Sequence, residues 1–360
     1  MFYICSDVAP PYRRKNLFMS KIVILCKHTG ANFIRHYYPH MPDTFPILTH
    51  TRHGLQDAME AVRGIKPYIV IFEWADNLTA SIINDPTFQA LKLAQPFKTV
   101  VRLHDHEITK KFDFGLLVDR IDWEQVDAVW FVNRNIEKMF KTKFPGVKTF
   151  YLPNAVDPAG IEEHLSEEKR AGLLSLHFRH RKRIDRVVHL AALLPDWTFH
   201  VRADIPQVQG GEFYKEFLRV LALAVDAFGQ PEKRGLDLVW PNLVFEHRDA
   251  SLLPITGYEE SDLNEWFRDK SVILSTSDHE GFHYAVGQGM AAGCFPVVWP
   301  WPTAREFWGP FVVDGVEAAA DRIRNYPPSH RWRLYVKHWY GPDALVPMLI
   351  EKLEGVLYSE

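Results

Sequence analysis

The chain reads as an α/β protein of two Rossmann-like domains, and three observations predict this. Its 360 residues exceed one typical domain and fit two of about 150–200 residues. Short apolar runs alternate with helical patterns, as in βα units with parallel strands. Residues 271–298, SVILSTSDHEGFHYAVGQGMAAGCFPVV, spell out one such βαβ unit in full. There, residues 272–274 form a buried strand, residues 275–278 supply turn and N-cap side chains, and the helical pattern opens at Phe282. Phe282, Ala285, Val286, Gly289 and Met290 keep the spacing of one buried stripe. Gly293 stops the helix before the strand at 295–298. Glu280, Tyr284 and Gln288 fall on the polar side, with Glu280 facing a cleft at a helix N-terminus suited to an anion. Gly287 and Gly289 are costly inside a helix and imply close backbone packing.

Composition bounds the rest. Hydrophobic residues at 47% and charged residues at 24% describe a globular protein, and a net charge of −3 implies no general affinity for nucleic acid or an anionic membrane. Cys5, Cys26 and Cys294 lack disulfide or zinc spacing and read as reduced core thiols of a cytoplasmic protein. No apolar stretch is long enough for a transmembrane segment, and residues 1–20 read as an extended arm without a signal core.

Taken in order, residues 22–25 are a buried strand, followed by a polar loop containing Gly30. Strands at 68–72, 99–103 and 128–132 follow, with a helix near 135–143. The third of these four strands ends in His104-Asp105-His106-Glu107, where parallel sheets place their ligands. Residues 158–170 make a charged transition. The second domain opens with the strand 173–178 and a basic turn, Arg179-His180-Arg181-Lys182-Arg183, then a helix ending at Leu194 and a strand at 198–202. An amphipathic helix at 213–228 lies in a stretch with no evident counterpart elsewhere. A strand at 242–247 and a helix at 259–267 lead to the βαβ unit. Trp299 and Trp301 then either line a cleft or pack on the sheet, and residues 332–357 form a terminal helical pair.

Glu280-Gly281-Phe282, Gln288 through Gly293 and Pro296-Val297-Val298 resemble the signature of GT4-type retaining glycosyltransferases of the GT-B fold, E-G-F-x5-E-A-M-A-x-G-x-P-V-V. Gln288 replaces the second glutamate. A carboxamide still reaches two hydroxyls, without the charge-assisted strength of a carboxylate. Lys148–Asp157, KTFYLPNAVD, is similar to the family's segment ending the first domain, and Asn133 stands where its serine is usual. Lys182-Arg183-Ile184-Asp185 lines up with K-G-x-D, with the glycine missing.

The resemblance implies two Rossmann-like domains facing each other across a cleft. The acceptor-side domain would span residues 21–157 and the nucleotide-sugar domain 158–335, with a C-terminal helix, 336–360, crossing back. It implies transfer of a hexose-like sugar from a nucleoside diphosphate donor to an unidentified hydroxyl acceptor, with retention, no cofactor and no metal. Glu280 and His104, with His106 as its rival, would be catalytic; Arg179, Lys182, Gly281 and Phe282 would hold the diphosphate, and Gln288 the ribose. Gly30 would sit in a loop facing the cleft. Two rival readings are a degenerate GT-B protein that binds without catalysis, and a metal-dependent GT-A-like transferase using residues 104–107.

Overall fold

The computed structural model describes residues 21–26, 33–41, 44–48, 54–104, 106–109, 116–206, 210–248 and 260–358. The N-terminal arm, Gly30 and Asp105 lie outside them. In the first half the elements are β1 (Ile22–Cys26), β2 (Thr44–Leu48), α1 (Gly54–Ile65), β3 (Ile69–Phe72), α2 (Asn77–Ile83) and α3 (Pro86–Ala94). They continue as β4 (Lys98–Leu103), α4 (His106–Thr109), β5 (Ala128–Phe131), α5 (Arg134–Lys143) and β6 (Thr149–Tyr151). All six strands pair in parallel in the order β2-β1-β3-β4-β5-β6. Val23 and Leu25 face one core and Ile22 and Ile24 another, so both faces of the sheet are covered, as a near-continuous apolar run requires.

The second half begins with β7 (Arg170–His177), α6 (Asp185–Leu193), β8 (Thr198–Asp204) and α7 (Gly211–Phe228). A hairpin, β9 (Glu232–Arg234) and β10 (Asp237–Val239), leads to β11 (Leu243–His247) and α8 (Glu260–Phe267). Then come β12 (Val272–Ser275), α9 (Tyr284–Ala291), β13 (Phe295–Val298), α10 (Ala304–Trp308) and α11 (Val316–Arg324). The sheet order is β13-β12-β7-β8-β11-β10-β9, parallel through β11 and antiparallel only in the added hairpin. Trp299 and Trp301 are buried in this domain's core rather than lining a cleft.

Two helices close the chain, α12 (Arg331–Tyr340) and α13 (Pro342–Leu357). They part company: Val336 and Tyr340 of α12 belong to the second core, while Leu345, Val346, Leu349, Leu353 and Val356 of α13 pack into the first. The segment that crosses back thus starts at the Gly341 junction, after the expected residue 336. Beside it the Val156 N–H donates to the Tyr340 carbonyl at 2.8 Å.

The helix of the βαβ unit starts at Tyr284, two residues later than its apolar spacing predicts, and its N-cap is His283 in the left-handed region (φ 55°). Residues 275–278 therefore do not cap it; Phe282 precedes the helix and is buried by tertiary packing. The two glycines do permit close approach. A Cβ at Gly289 would lie 2.7 Å from the Ile273 Cβ on β12, and one at Gly287 would lie 2.7 Å from Val156 Cγ2. Gly289→Ala gains helix propensity of about 1 kcal/mol but overpacks a β-branched neighbour, so it should destabilise the fold by about 1–3 kcal/mol. Gly64 in α1 has nothing within 4 Å of such a Cβ. Gly64→Ala should stabilise by about 0.5–1 kcal/mol. Urea midpoints of the two variants, moving in opposite directions, check both.

Candidate functional site

The carboxyl ends of the two sheets face each other. Asn133, which follows β5, caps α5 by accepting from the N–H groups of Asn135 (2.8 Å) and Ile136 (3.3 Å). Its Nδ2 donates across the divide, to the Gly281 carbonyl at 3.0 Å and to Thr303 Oγ1 at 2.6 Å. Arg134 pairs with Glu306 at 2.7 Å, and the Tyr284 hydroxyl donates to the Ala155 carbonyl. Loops after β5 and β12 therefore form opposite walls of one site.

On the second wall, Lys182 and Glu280 meet at 2.5 Å, joining the loop after β7 to the loop after β12. Ser277 Oγ donates to the same Glu280 oxygen at 2.5 Å. Glu280 is buried, which corrects the expectation of a side chain open to the cleft. Burial would raise its pKa, but the Lys182 ammonium, with Arg181 behind it, holds the carboxyl well below the usual carboxylate range. His283 touches the same cluster, its Nε2 3.8 Å from Glu280. Burial pushes this imidazole down to about 4 against the pull of Glu280, so it is neutral at pH 7.

The turn carrying Lys182 has the shape that a glycine would give it. Arg183 sits in the left-handed region, φ 48° and ψ 49°, at the position aligned with the missing glycine. That conformation costs a non-glycine residue of order 1 kcal/mol. Arg183 is held there by ion pairs to Asp185 and Asp278, both at 2.9 Å. Arg186 also reaches Asp278 at 2.6 Å. Two of the local cations are thus committed to structure. Arg179 is half-buried with its guanidinium 5.2 Å from the centre of the Phe213 ring, and burial together with Arg181 lowers its pKa.

The other predicted residues divide. Gly281 presents its carbonyl to Asn133, so only its remaining backbone can meet a ligand. The Phe282 ring packs against Phe307, Trp308 and Tyr340 at 5.1–5.3 Å between centroids and is core. Gln288 is half-buried one turn beyond Tyr284, on the α9 face that meets the first domain. His104 follows β4 on the first wall, stacked on Trp74 at 4.0 Å, with its Nε2 donating to the Glu73 carbonyl at 3.1 Å. Glu73 Oε1 lies 3.3 Å from the same nitrogen.

Residues that the sequence reading left unassigned hold this wall together. Glu73 and Arg102 are fully buried and paired through one guanidinium nitrogen, at 2.7 and 2.9 Å to the two carboxylate oxygens. Arg102 also donates to Asn154 at 2.5 Å and lies 4.1 Å over the Trp130 ring. The signal was present: an acid directly after one buried strand and an arginine inside the next. Glu107 is also fully buried and accepts from the His104 N–H at 3.2 Å, so it is turned into the fold. Among the described residues no group of three His, Cys, Asp or Glu is placed to hold a metal. The metal-dependent single-domain reading fails on the architecture itself, which has two facing sheets.

The Lys182–Glu280 pair makes a pH-dependent prediction. Glu280→Gln removes the partner of a half-buried ammonium and should cost about 1.5–3 kcal/mol at pH 7. The folded pKa of Glu280 is depressed, so its contribution is complete above the unfolded value of 4.5 and is lost as pH falls through the folded value. Urea midpoints at pH 7, 5 and 4 should show a constant gap between wild type and variant that narrows only below about pH 4.5.

No family model matches the chain, and no curated protein matches it. Solved structures do. Sucrose-phosphate synthase from Thermosynechococcus elongatus superposes with a TM-score of 0.62 at 12% identity, covering 95% of this chain and 100% of that one. HepE from Anabaena, in complex with UDP and glucose, gives 0.63 at 13%, covering 93% and 100%. A glycosyltransferase from Rickettsia africae gives 0.62 at 13%, covering 96% and 100%. The chain has the GT-B fold, two Rossmann-like domains with a cleft between the carboxyl ends of their sheets.

Proposed function

We propose that this protein is a glycosyltransferase that takes a hexose-like sugar from a nucleoside diphosphate donor and passes it to a hydroxyl acceptor with retention. The observation that carries the reading is the Lys182–Glu280 pair. It fixes an ammonium between the loops after β7 and β12, where the sequence signature expects a diphosphate. Neighbours of the same fold are solved with UDP and glucose or with UDP-glucose, which supports a nucleotide-sugar donor.

In this mechanism the leaving diphosphate gathers negative charge as the glycosidic bond breaks. Lys182, Arg179 and the first backbone N–H groups of α9 stabilise that charge electrostatically, without a divalent ion. Glu280 keeps Lys182 in place, which gives it a role at the reacting phosphate even though it is buried. Gln288 hydrogen-bonds the ribose. His104, oriented by Glu73, approaches the sugar from the opposite wall and accepts or donates a hydrogen bond there.

Donor hydrolysis and transfer, followed by intact mass across a panel of nucleotide sugars with and without EDTA, test the reading. Release of nucleoside diphosphate from one donor, unchanged by EDTA, is expected. Binding without turnover would leave a degenerate protein, and EDTA-sensitive turnover would sink the metal-free mechanism. Arg179→Gln removes a cation without stranding a buried partner. It should weaken nucleoside diphosphate binding by about 1.5–3 kcal/mol in calorimetry, the range for a hydrogen bond to a charged group. Unchanged affinity would show that Arg179 serves only to cover Phe213.

A further inference from the structure

The nucleotide-side sheet carries a second feature beside the basic turn, a cavity of about 630 Å³ lined by His177, Asp204, Gly210, Phe213, Tyr214 and His247, among others. It sits at the carboxyl ends of three adjacent strands. His177 ends β7, Asp204 ends β8 and His247 ends β11, so the carboxylate occupies the middle of the row. Phe213 connects the cavity to the turn: one contact is the His177 ring, stacked at 4.6 Å and 8°, and another is the Arg179 guanidinium. A nucleotide with its diphosphate at Arg179 and Lys182 would direct its base along this stack into the cavity.

We propose that this cavity receives the donor's base and that Asp204 makes it a site for guanine. The inference rests on the donor reading above and adds the base to it. Asp204 is half-buried and its neighbours leave its acceptor capacity largely unused. Its Oδ2 is 3.5 Å from His177 Nδ1, and its Oδ1 is 4.0 Å from His247 Nδ1, both too long for a strong hydrogen bond. His247 Nδ1 already accepts the Ile205 N–H at 3.1 Å, so it turns a lone pair, not a proton, to that side. Burial, with Arg179 adding to it, lowers the His177 pKa against the pull of Asp204.

A carboxylate with two open oxygens asks for two parallel N–H donors, as in bidentate pairing. Guanine supplies them from N1–H and the 2-amino group. Uracil offers one N–H flanked by two carbonyls, and one of those would face a carboxylate oxygen. Adenine places a ring acceptor next to its amino group and meets the same repulsion. Tyr214 and the backbone at Gly210 then remain for the rest of the ring system. UDP, the nucleotide in the HepE complex of the same fold, is the natural comparison ligand.

Isothermal titration of the full chain with GDP, IDP, UDP and ADP, for wild type and Asp204→Asn, tests the assignment. IDP keeps N1–H and lacks the 2-amino group. Wild type should bind GDP tightest, with IDP weaker by about tenfold for the lost charge-assisted bond. Asp204→Asn should weaken GDP by about tenfold or more, erase the gap between GDP and IDP, and leave UDP within about twofold. UDP binding as tightly as GDP in wild type would overturn the proposal, as would a GDP preference that survives Asp204→Asn. The two readings fail differently. If the diphosphates bind without this base preference, only the base assignment falls; if none of them binds, the donor reading falls and takes it along.

Discussion

The ion pair of half-buried Lys182 with buried Glu280 is the contact around which the second domain's loops are arranged. The Glu280 charge is not tolerable alone in that position, because an unpaired buried ion costs several kcal/mol. The pair therefore forces two segments, far apart in sequence, to fold together. Around it the backbone is tied as well: Thr276 Oγ1 donates to the Lys182 carbonyl at 2.7 Å, and the Asp278 N–H donates to the Arg181 carbonyl at 2.8 Å. Arg183 in a glycine-like conformation follows from the same constraint, since the turn must present Lys182 inward and Arg183 toward Asp185 and Asp278 at once.

The first domain solves the same problem with different residues. Glu73 and Arg102 put a fully buried pair at the carboxyl end of β3 and within β4. Burial acts to raise the Glu73 pKa, but Arg102 and His104 hold this carboxylate ionised. Its second task is to hold His104. Each wall of the cleft thus has an ion pair that ties together two neighbouring strands or the loops that follow them. Asn133 joins the walls, and because it also caps α5, the separation of the domains is linked to the start of a helix.

Parallel pairing and the close packing at Gly287 and Gly289 were legible because they depend on period and on side-chain size. The resemblance brought Lys182 and Glu280 to one donor site, but not into contact; nothing in either local stretch shows a pair across 98 positions. The late start of α9 was missed because the spacing of Phe282 fits a helix and a packed loop equally well. Its ring is buried by Phe307, Trp308 and Tyr340, residues from elements that the local pattern does not include. Glu73, Arg102 and Asp204 escaped notice for a shared reason: each is one polar residue in or at the end of an apolar strand, and what surrounds it lies on neighbouring strands. Gly30 and Asp105 lie outside the described residues, so the cleft-loop reading of the first has no structural counterpart here.

The arrangement of cations also bears on how such a site could bind without becoming unstable when empty. A cluster of Arg179, Arg181, Lys182, Arg183 and Arg186 would repel itself if each side chain were solvated separately. Here Lys182 pairs with Glu280, Arg183 with Asp185 and Asp278, and Arg186 with Asp278. Those partners fix rotamers before a ligand arrives, which reduces the ordering cost of binding. A diphosphate would then add to Lys182 instead of recruiting it. Arg179 is different, since its contact is an aromatic face and not an acid. Its charge is lowered in hydration and left for an incoming anion, on the side of the turn that leads to Phe213 and the Asp204 cavity.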